Sequence, residues 1–204
     1  MVDFAAATIE WGTTPDTITL LELTKQLLEI VDTSQDTELS MYLQIAGEAA
    51  ESYIDNKLAL QEVTEEFASS FYPVPLRFYP FGTLTSVTID GDDQTADWSV
   101  YFEPGVAWAT VSATASSNSD GFNQLAITYT TGYEPLPAQV GFAIAQIAIA
   151  YQESAGSPTG AVKKESIVGV GSIEYVTAAD TDGSAGAMSP STIGVLDKYR
   201  RMNA

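Results

Sequence analysis

Carboxylates are the side chains of this sequence whose types and spacing could support chemistry, and the densest group lies in IDGDDQTAD. This stretch contains Asp90, Asp92, Asp93 and Asp97. Clustered carboxylate oxygens are typical calcium ligands, but the spacing departs from an EF-hand, which has ligands at alternate positions and a closing glutamate. An Asp-Gly pair is typical of a hairpin turn. The sequence therefore favours a solvated turn over a cation site, and the same applies to Asp180 and Asp182.

Paired carboxylates can also hydrolyse glycosides when a pocket raises the pKa of one of them. The chain has 27 acidic residues, so some of them must lie close together, and proximity alone is weak evidence. It has no histidine and no cysteine. This excludes catalytic triads built on histidine, thiolate nucleophiles and the common zinc sites. The composition therefore predicts a protein that is not an enzyme and holds no cofactor.

Four aromatic residues in the middle of the chain could form a platform for sugar rings. They are Trp98, Tyr101, Phe102 and Trp108. Alternation within strands makes packing in a core the favoured interpretation. An acidic, β-rich module for carbohydrate binding or adhesion remains the alternative function.

The net charge of −19 is distributed unevenly along the chain. Residues 1–160 hold 22 acidic and 3 basic residues, whereas residues 161–204 hold 5 of each. Phosphate backbones repel such a body, so DNA can pass it without being bound. The cations near the C-terminus include Lys163 and Lys164.

The last cations stand beside apolar residues in TIGVLDKYRRM, which predicts a short helix with a partner-binding face. The candidate partner-binding residues are Ile193, Leu196, Lys198, Tyr199, Arg200 and Arg201. Cations beside apolar side chains suit docking onto an acidic partner. A solvated helix end whose cations face the negative dipole is an equal alternative.

One folded domain with a core fits 204 residues, of which 45% are hydrophobic. No apolar run reaches the roughly 18–20 residues that cross a bilayer. The start, MVDFAAATIEW, does not predict a secretory signal, because no basic residue precedes its short apolar stretch. These features predict no membrane association and a place in the cell interior or in an assembly.

Two helices are predicted near the start. Thr19 or Asp16 can cap a short first helix with a broad leucine-rich face that continues to Ile30. The second helix runs from about Asp36 to Leu58. Its apolar face is expected to contain Leu39, Leu43, Ala46, Ala50, Tyr53, Ile54 and Leu58.

A strand-like alternation follows from about Glu62 to Phe71. The prolines of YPVPLRFYPFG predict a connector, since proline cannot donate to a sheet ladder. Four short runs then predict a small antiparallel sheet, and one further strand is expected over Val168–Val176. The four runs are LTSVTID, WSVYFEP, VAWATVS and LAITYTT.

A nearly uncharged helix over Pro137–Ser154 closes this sheet and packs against the second helix. Because it is apolar almost all round, it needs neighbours on most sides, which indicates assembly. The predicted fold class is α+β, mainly an α-helical bundle with a small antiparallel β-sheet and an extended C-terminal tail. Residues 1–156 form the core, and residues 157–204 form a loop, a strand and a C-terminal docking helix.

The order of these segments resembles the head–tail connector (adaptor or head-completion) proteins of tailed bacteriophages. The resemblance covers residues 19–154 well and the remainder loosely, and it depends on the order of the segments rather than on any one motif. The segments that carry it are LLELTKQLLEI, DTSQDTELSMYLQIAGEAAESYIDNKL, PVPLRFYPFGTLTSVTIDG and ITYTTGYEPLPAQVGFAIAQIAIAYQES.

The resemblance implies a structural protein of the virion neck, at the head–tail junction, which is present in the host cytoplasm during assembly. It implies a homo-oligomeric ring, expected to be twelvefold, between a portal protein and a tail or stopper protein. The ring extends the DNA channel, and DNA passes through without specific binding. The C-terminal residues from Ile193 to Arg201 are then expected to dock on the portal.

Overall fold

The computed structural model describes residues 2–11, 16–67, 74–102, 109–113, 124–156, 164–167, 171–174 and 188–200. The helices within these ranges are α1 (Leu20–Leu27), α2 (Asp36–Ile54), α3 (Ala138–Gly156) and α4 (Pro190–Leu196), with 3₁₀ turns at Thr95–Asp97 and Asp197–Tyr199. The strands are β1 (Thr8–Trp11), β2 (Asp16–Thr19), β3 (Gln61–Phe67), β4 (Val74–Pro75), β5 (Phe81–Ile89), β6 (Asp92–Asp93), β7 (Trp98–Phe102), β8 (Ala109–Ala113), β9 (Leu125–Thr131), β10 (Lys164–Ile167) and β11 (Gly171–Glu174). None of the helices described is both long and apolar enough to span a membrane.

Helices α1 and α2 begin where the sequence predicts. The Thr19 hydroxyl accepts the Glu22 N–H at 3.2 Å, and the Glu22 carboxylate accepts the Thr19 N–H at 2.9 Å. This reciprocal pair is a capping box, and its hydrogen bonds lower the pKa of Glu22. Helix α2 begins at Asp36 and ends at Ile54, before the predicted end at Leu58. Asp55 follows directly after the helix and adopts a left-handed conformation with φ of 52°.

Helix α3 is buried on most sides, as its composition predicts. It packs against α2, α1, α4 and β1. Val140, Ile144 and Ile147 are completely buried, in one hydrophobic cluster with residues of α1, α2 and α4. Neighbours within the same chain therefore supply much of the cover that this helix needs.

The N-terminal segment packs against both long helices at two glycines. A Cβ atom at Gly47 of α2 would lie 2.4 Å from the ring of Phe4, and one at Gly141 of α3 would lie 2.4 Å from Cδ1 of Ile9. Phe4 and Ile9 are buried in the helical cluster. The missing side chains at Gly47 and Gly141 thus create the space into which the N-terminal segment fits.

The middle of the chain forms two antiparallel sheets that share a second hydrophobic cluster. One sheet has the order β3-β9-β5-β6, and the other has the order β4-β8-β7. Strand β9 is central in the first sheet, and its side chains alternate between buried and half-buried. The proline-rich segment was predicted as a connector; within its described part, Val74 and Pro75 form β4 at the edge of the second sheet, opposite β8.

Strand β3 lies at the edge of its sheet and carries a carboxylate among its inward-facing residues. Val63 and Phe67 pack against the cluster of the two sheets, and Glu65 lies on the same face of the strand. Glu65 accepts hydrogen bonds from the Tyr129 hydroxyl and from the backbone N–H of Arg77, the latter at 2.9 Å. A satisfied charge on the inner face of an edge strand hinders pairing with other chains.

The chain leaves the helical cluster after α2 and returns to it at Gly132 and Tyr133. The Tyr133 N–H donates to the Leu58 carbonyl at 2.7 Å, and the Leu60 N–H donates to the Tyr133 carbonyl at 3.2 Å. Gly132 has φ of +102°, and a Cβ there would lie 2.3 Å from the Ala59 carbonyl oxygen. This position therefore requires glycine.

A buried carboxylate holds the end of α2 against this crossing. Glu51 accepts hydrogen bonds from the Leu58 N–H at 2.9 Å, from Lys57 Nζ at 3.0 Å and from Gln61 Nε2 at 3.0 Å. A buried carboxylate is tolerated when it is paired and hydrogen-bonded in this way. Glu51 thus connects α2 with the first strand of the sheet region.

The predicted fold class, a mainly α-helical bundle with a small antiparallel sheet and an extended C-terminal tail, is wrong. The strands of the described residues form four antiparallel sheets, so the protein is rich in sheet. The four runs in the middle of the sequence were predicted to form one sheet, but they contribute to two. Strand β8 pairs with β4 and β7, and none of these three strands pairs with β9. Helix α4 is not part of an extended tail, because Leu196 is completely buried in the helical cluster.

Two strand pairs of the structure were not predicted. Thr8–Trp11 and Asp16–Thr19, where no strand was predicted, pair as β1 and β2, with Thr8 opposite Thr19. Of the strand expected over Val168–Val176, the described residues Gly171–Glu174 form β11, and β11 pairs with β10, with Ile167 opposite Gly171. Short strands with weak alternation carry little signal of their own, so their pairing is hard to foresee.

We expect Gly47→Ala to destabilise the protein by about 1–3 kcal/mol, because the new methyl group forces Phe4 out of its place. The matched control is Gly194→Ala in α4, where an added Cβ has nothing within 4 Å. That variant is expected to be neutral or to gain up to about 1 kcal/mol of helix propensity. Urea unfolding measures both, and equal stabilities would contradict the packing of Phe4 against Gly47.

Candidate partner-binding surface

Residues 189–200 are fixed on the chain's own helices by a buried apolar contact and a polar one. Leu196 is completely buried beside residues of α2 and α3. Thr192 is also buried, and its hydroxyl donates to Oε1 of Gln146 on α3 at 3.2 Å. The Ser189 side chain accepts the Thr192 N–H at 3.2 Å and caps α4. The helix that carries the predicted site is therefore an integral part of the fold.

An aromatic and amide cluster holds the turn that follows α4. Tyr199 packs edge-to-face against Tyr133, with ring centroids 5.8 Å apart. The Tyr79 hydroxyl donates to the Arg200 carbonyl at 2.8 Å. Asn56, which is buried, donates to the Tyr79 carbonyl at 2.9 Å and accepts the Tyr79 N–H at 3.2 Å. The end of α2, the start of β5 and the turn after α4 thus meet at one place.

Tyr53, Asp197 and Arg200 form a polar contact at the rim of this cluster. The Tyr53 hydroxyl donates to Oδ1 of Asp197 at 2.8 Å, and this hydrogen bond raises the pKa of Tyr53. The guanidinium carbon of Arg200 lies 5.5 Å from the centre of the Tyr53 ring, within the range of a cation–π interaction. The Tyr53 ring thus helps to orient the Arg200 guanidinium group, while its hydroxyl holds Asp197.

The cations of the acidic body are all engaged by carboxylates. Lys25 Nζ lies 2.7 Å from Asp36, Lys57 Nζ lies 3.0 Å from Glu51, and Arg77 lies 2.5 Å from Asp55. In the part of the chain that the structure describes, no carboxylate forms a salt bridge with Lys198 or Arg200, and both are exposed. Among the described side chains, the cations that no carboxylate pairs with therefore lie after α4.

The six predicted partner-binding residues separate into two groups in the structure. Leu196 is buried, and Tyr199 is half-buried against Tyr133, so both anchor the segment to its own core. Ile193 is half-buried, whereas Lys198 and Arg200 are exposed. Arg201 lies outside the described residues, as does Lys163. A partner-binding role for these residues stays a prediction.

Four residues of this site were not predicted as parts of it from the sequence. They are Tyr53, Asn56, Tyr79 and Tyr133. Tyr53 was expected on the apolar face of α2, but nothing in the spacing of these four residues indicates contact with residues near position 200. Only the fold brings these distant segments together.

The aspartate cluster is the hairpin turn that the Asp-Gly pair predicts. Asp90 and Gly91 have φ of 51° and 93° between β5 and β6. Asp93 accepts the hydroxyl of Thr95 at 2.6 Å and its N–H at 2.9 Å, which lowers the pKa of Asp93. Within the described ranges, no group of three or more acidic residues is arranged to hold a metal ion. Asp180 and Asp182 lie outside those ranges.

The aromatic platform considered for sugar binding is not formed by Trp98 and Tyr101. Trp98 is 7% exposed and belongs to the sheet core, which confirms the packing interpretation for this residue. Tyr101 is 49% exposed and, three positions further along β7, lies on the opposite face. Trp108 and the side chain of Phe102 lie outside the described part of the structure.

No family model and no curated protein matches the sequence. The fold is nevertheless similar to that of chains in solved structures of gene transfer agent (GTA) particles. One is from the virion of the native GTA particle, with a TM-score of 0.61, 17% identity and coverage of 92% of this chain and 91% of that chain.

Two similar chains belong to GTA necks. The neck of the empty particle, computed with C6 symmetry, contains one with a TM-score of 0.59, 16% identity and 90% coverage of each chain. The neck of the native particle, computed with C12 symmetry, contains another with a TM-score of 0.56, 13% identity and coverage of 97% and 96%. At these identities the comparison shows a shared fold.

We expect Leu196→Ala to release α4 and the following turn from the helical cluster. Removing a buried leucine side chain costs about 2–5 kcal/mol, enough to favour local opening of a short helix. Hydrogen exchange of residues 190–200 should accelerate while α2 and α3 remain protected. Ile193→Ala, at a half-buried position of the same helix, is the control and should have a smaller effect. Equal protection of α4 in the wild type and Leu196→Ala would contradict this anchoring.

Proposed function

We propose that this protein is a structural, non-catalytic component of a phage-like virion neck. The observation that carries the proposal is the fold similarity to chains of GTA necks over at least 90% of both chains. The order of sequence segments that resembles head–tail connector proteins supports the same function independently. In this proposal the protein forms a ring between a portal protein and a tail or stopper protein.

The ring is proposed to contain twelve copies and to extend the channel through which DNA passes. The C12 symmetry of one similar neck supports this number. A channel wall must not hold the genome, and a chain with a net charge of −19 repels phosphates. Lys25, Lys57 and Arg77 are each paired with a carboxylate, so none of these three cations of the body presents an unpaired positive charge to DNA.

Assembly is the direct test of this function. We expect mass photometry of the purified protein with its portal protein to show one ring of about twelve copies per portal, because cyclic assemblies close at a fixed number. Electron microscopy should show an annulus with a central hole. Monomers alone, both in the free protein and in the presence of portal, would overturn the proposal.

The surface after α4 is proposed as the portal-binding site. Lys198 and Arg200 supply accessible charge there, and Leu196 and Tyr199 hold them in position. A cationic surface of this kind docks onto an acidic rim with a salt-dependent association rate. The internal anchoring of Leu196 makes charge reversal a cleaner test than deletion of the helix, since deletion also removes part of the hydrophobic core.

We expect the double variant Lys198→Glu and Arg200→Glu to weaken portal binding by about ten-fold or more, because like charges then face each other across the interface. The neutral variant Lys198→Gln and Arg200→Gln should have a portal affinity between those of the wild type and the double glutamate variant. Higher salt should reduce the differences in affinity among the three proteins. Circular dichroism should show an unchanged fold, since neither cation forms a described salt bridge. Unaltered portal affinity in both variants would remove the site assignment.

A further inference from the structure

Three grooves on the described surface differ strongly in their charge. A groove of about 490 Å³ beside the N-terminal segment is lined by three carboxylates, those of Asp3, Glu62 and Glu134. A groove of about 300 Å³ at the end of α2 contains Glu48, Glu51 and Asp55 beside two cations. The third groove has a volume of about 410 Å³ and lies along the outer face of α3, with Glu153 as its one charged lining residue.

The third groove, here called the α3 groove, has an apolar floor and a polar wall. Leu27, Phe142, Ile149 and Ala150 supply apolar surface, while Gln146, Ser189, Ser191 and Thr192 supply polar groups. Leu27 and Phe142 are 41% and 38% exposed, respectively. Two large apolar side chains thus face solvent side by side at a site that is poor in charge.

A second exposed apolar feature lies on α2. Met41 and Ile45 are 52% and 41% exposed, and residues four apart are neighbours on one face of a helix. They lie about half a turn away from Leu43, Ala46 and Ala50, which are buried in the helical cluster. We call Met41 and Ile45 the α2 ridge.

The α2 ridge and the α3 groove face away from each other. Helices α2 and α3 pack directly together, and each feature lies on the side of its helix opposite to the buried residues. One copy cannot bring its own ridge to its own groove. A head-to-tail contact requires two different patches on one subunit, and such contacts form a ring when the rotation between neighbours closes.

Electrostatics favours the α3 groove as a contact between copies. Each copy carries a net charge of −19, so neighbouring copies repel each other unless they meet at surfaces with few carboxylates. The α3 groove meets this condition, whereas the two acidic grooves do not. Glu38 and Glu48 flank the α2 ridge, and Glu48 already accepts a hydrogen bond from Gln44 Nε2 at 2.7 Å. The α3 groove offers these carboxylates amide and hydroxyl groups beside one acidic residue, Glu153.

We infer that the α3 groove of one copy receives the α2 ridge of the next copy, and that this contact is the repeated subunit interface of the ring. The inference rests on the proposed function. The occupant of the groove is a second copy of this chain, and Phe142 and Ile45 lie on opposite sides of the same interface.

A cross-linking experiment tests this pairing in the assembled protein. The sequence contains no cysteine, so every cross-link made by a bis-maleimide reports only on introduced thiols. The double variant Ile45→Cys and Phe142→Cys is expected to form a ladder that extends to the full number of copies in the ring. The control is Tyr101→Cys with Phe142→Cys, because Tyr101 is equally exposed at 49% but lies on β7; it should form no ladder.

Complementary charge variants test the direction of the contact. Phe142→Glu places a carboxylate in the α3 groove, and Ile45→Glu places one on the α2 ridge. Each variant alone should therefore weaken association by about ten-fold or more. A mixture of the two retains one intact groove–ridge pair and should form dimers that cannot extend. Tyr101→Glu should assemble like the wild type, and circular dichroism establishes that each variant is folded.

The outcomes separate this inference from the function on which it rests. A wild-type ring together with the ladder and the mixed dimer supports both. A wild-type ring whose assembly is unaffected by Phe142→Glu and Ile45→Glu, with no ladder from the double cysteine variant, overturns the interface and leaves the ring intact. Absence of a wild-type ring, with and without portal, overturns the neck function and the interface together.

Discussion

The need to cover helix α3 determines the arrangement of the helical part of this protein. The helix has no charged residue between Ala138 and Gln152, so exposure of its sides to water is unfavourable over most of its length. Helices α1, α2 and α4 and strand β1 each cover one part of it. Segments from both ends of the described chain therefore converge on one helix, and a strip that includes Phe142 remains open to solvent.

Several local features could be predicted from the sequence because the residues involved act within a few positions of each other. The Thr19 cap, the start of α2 at Asp36 and the Asp-Gly turn at Asp90 are of this kind, and so is the apolar character of α3. Each depends on backbone or side-chain groups that are adjacent in the chain. The absence of a central strand at Pro75 followed equally from the N–H donor that proline lacks.

The features that sequence patterns missed depend on partners that are far apart in the chain. Pairing of β4 with β8 instead of the β9 sheet decides that there are two sheets, and no residue near Val74 encodes that choice. The contact of Phe4 with Gly47 spans about forty positions, and Tyr79 meets the Arg200 carbonyl across 121. In the candidate site, the charges of Lys198 and Arg200 were visible in the sequence, but the anchoring cluster of Asn56 and Tyr133 was not.

The hydrogen bonds between Leu58–Leu60 and Tyr133 place the exit and the re-entry of the chain side by side. The segment from β3 to β9 is consequently an excursion whose two ends are adjacent, so a change in the length of its loops does not by itself move those ends apart. Evolution can therefore lengthen or shorten the loops of this excursion, as long as the contacts of Tyr79 are kept, while the helical frame stays constant. A single helical frame can in this way carry sheet regions that differ in their outer loops.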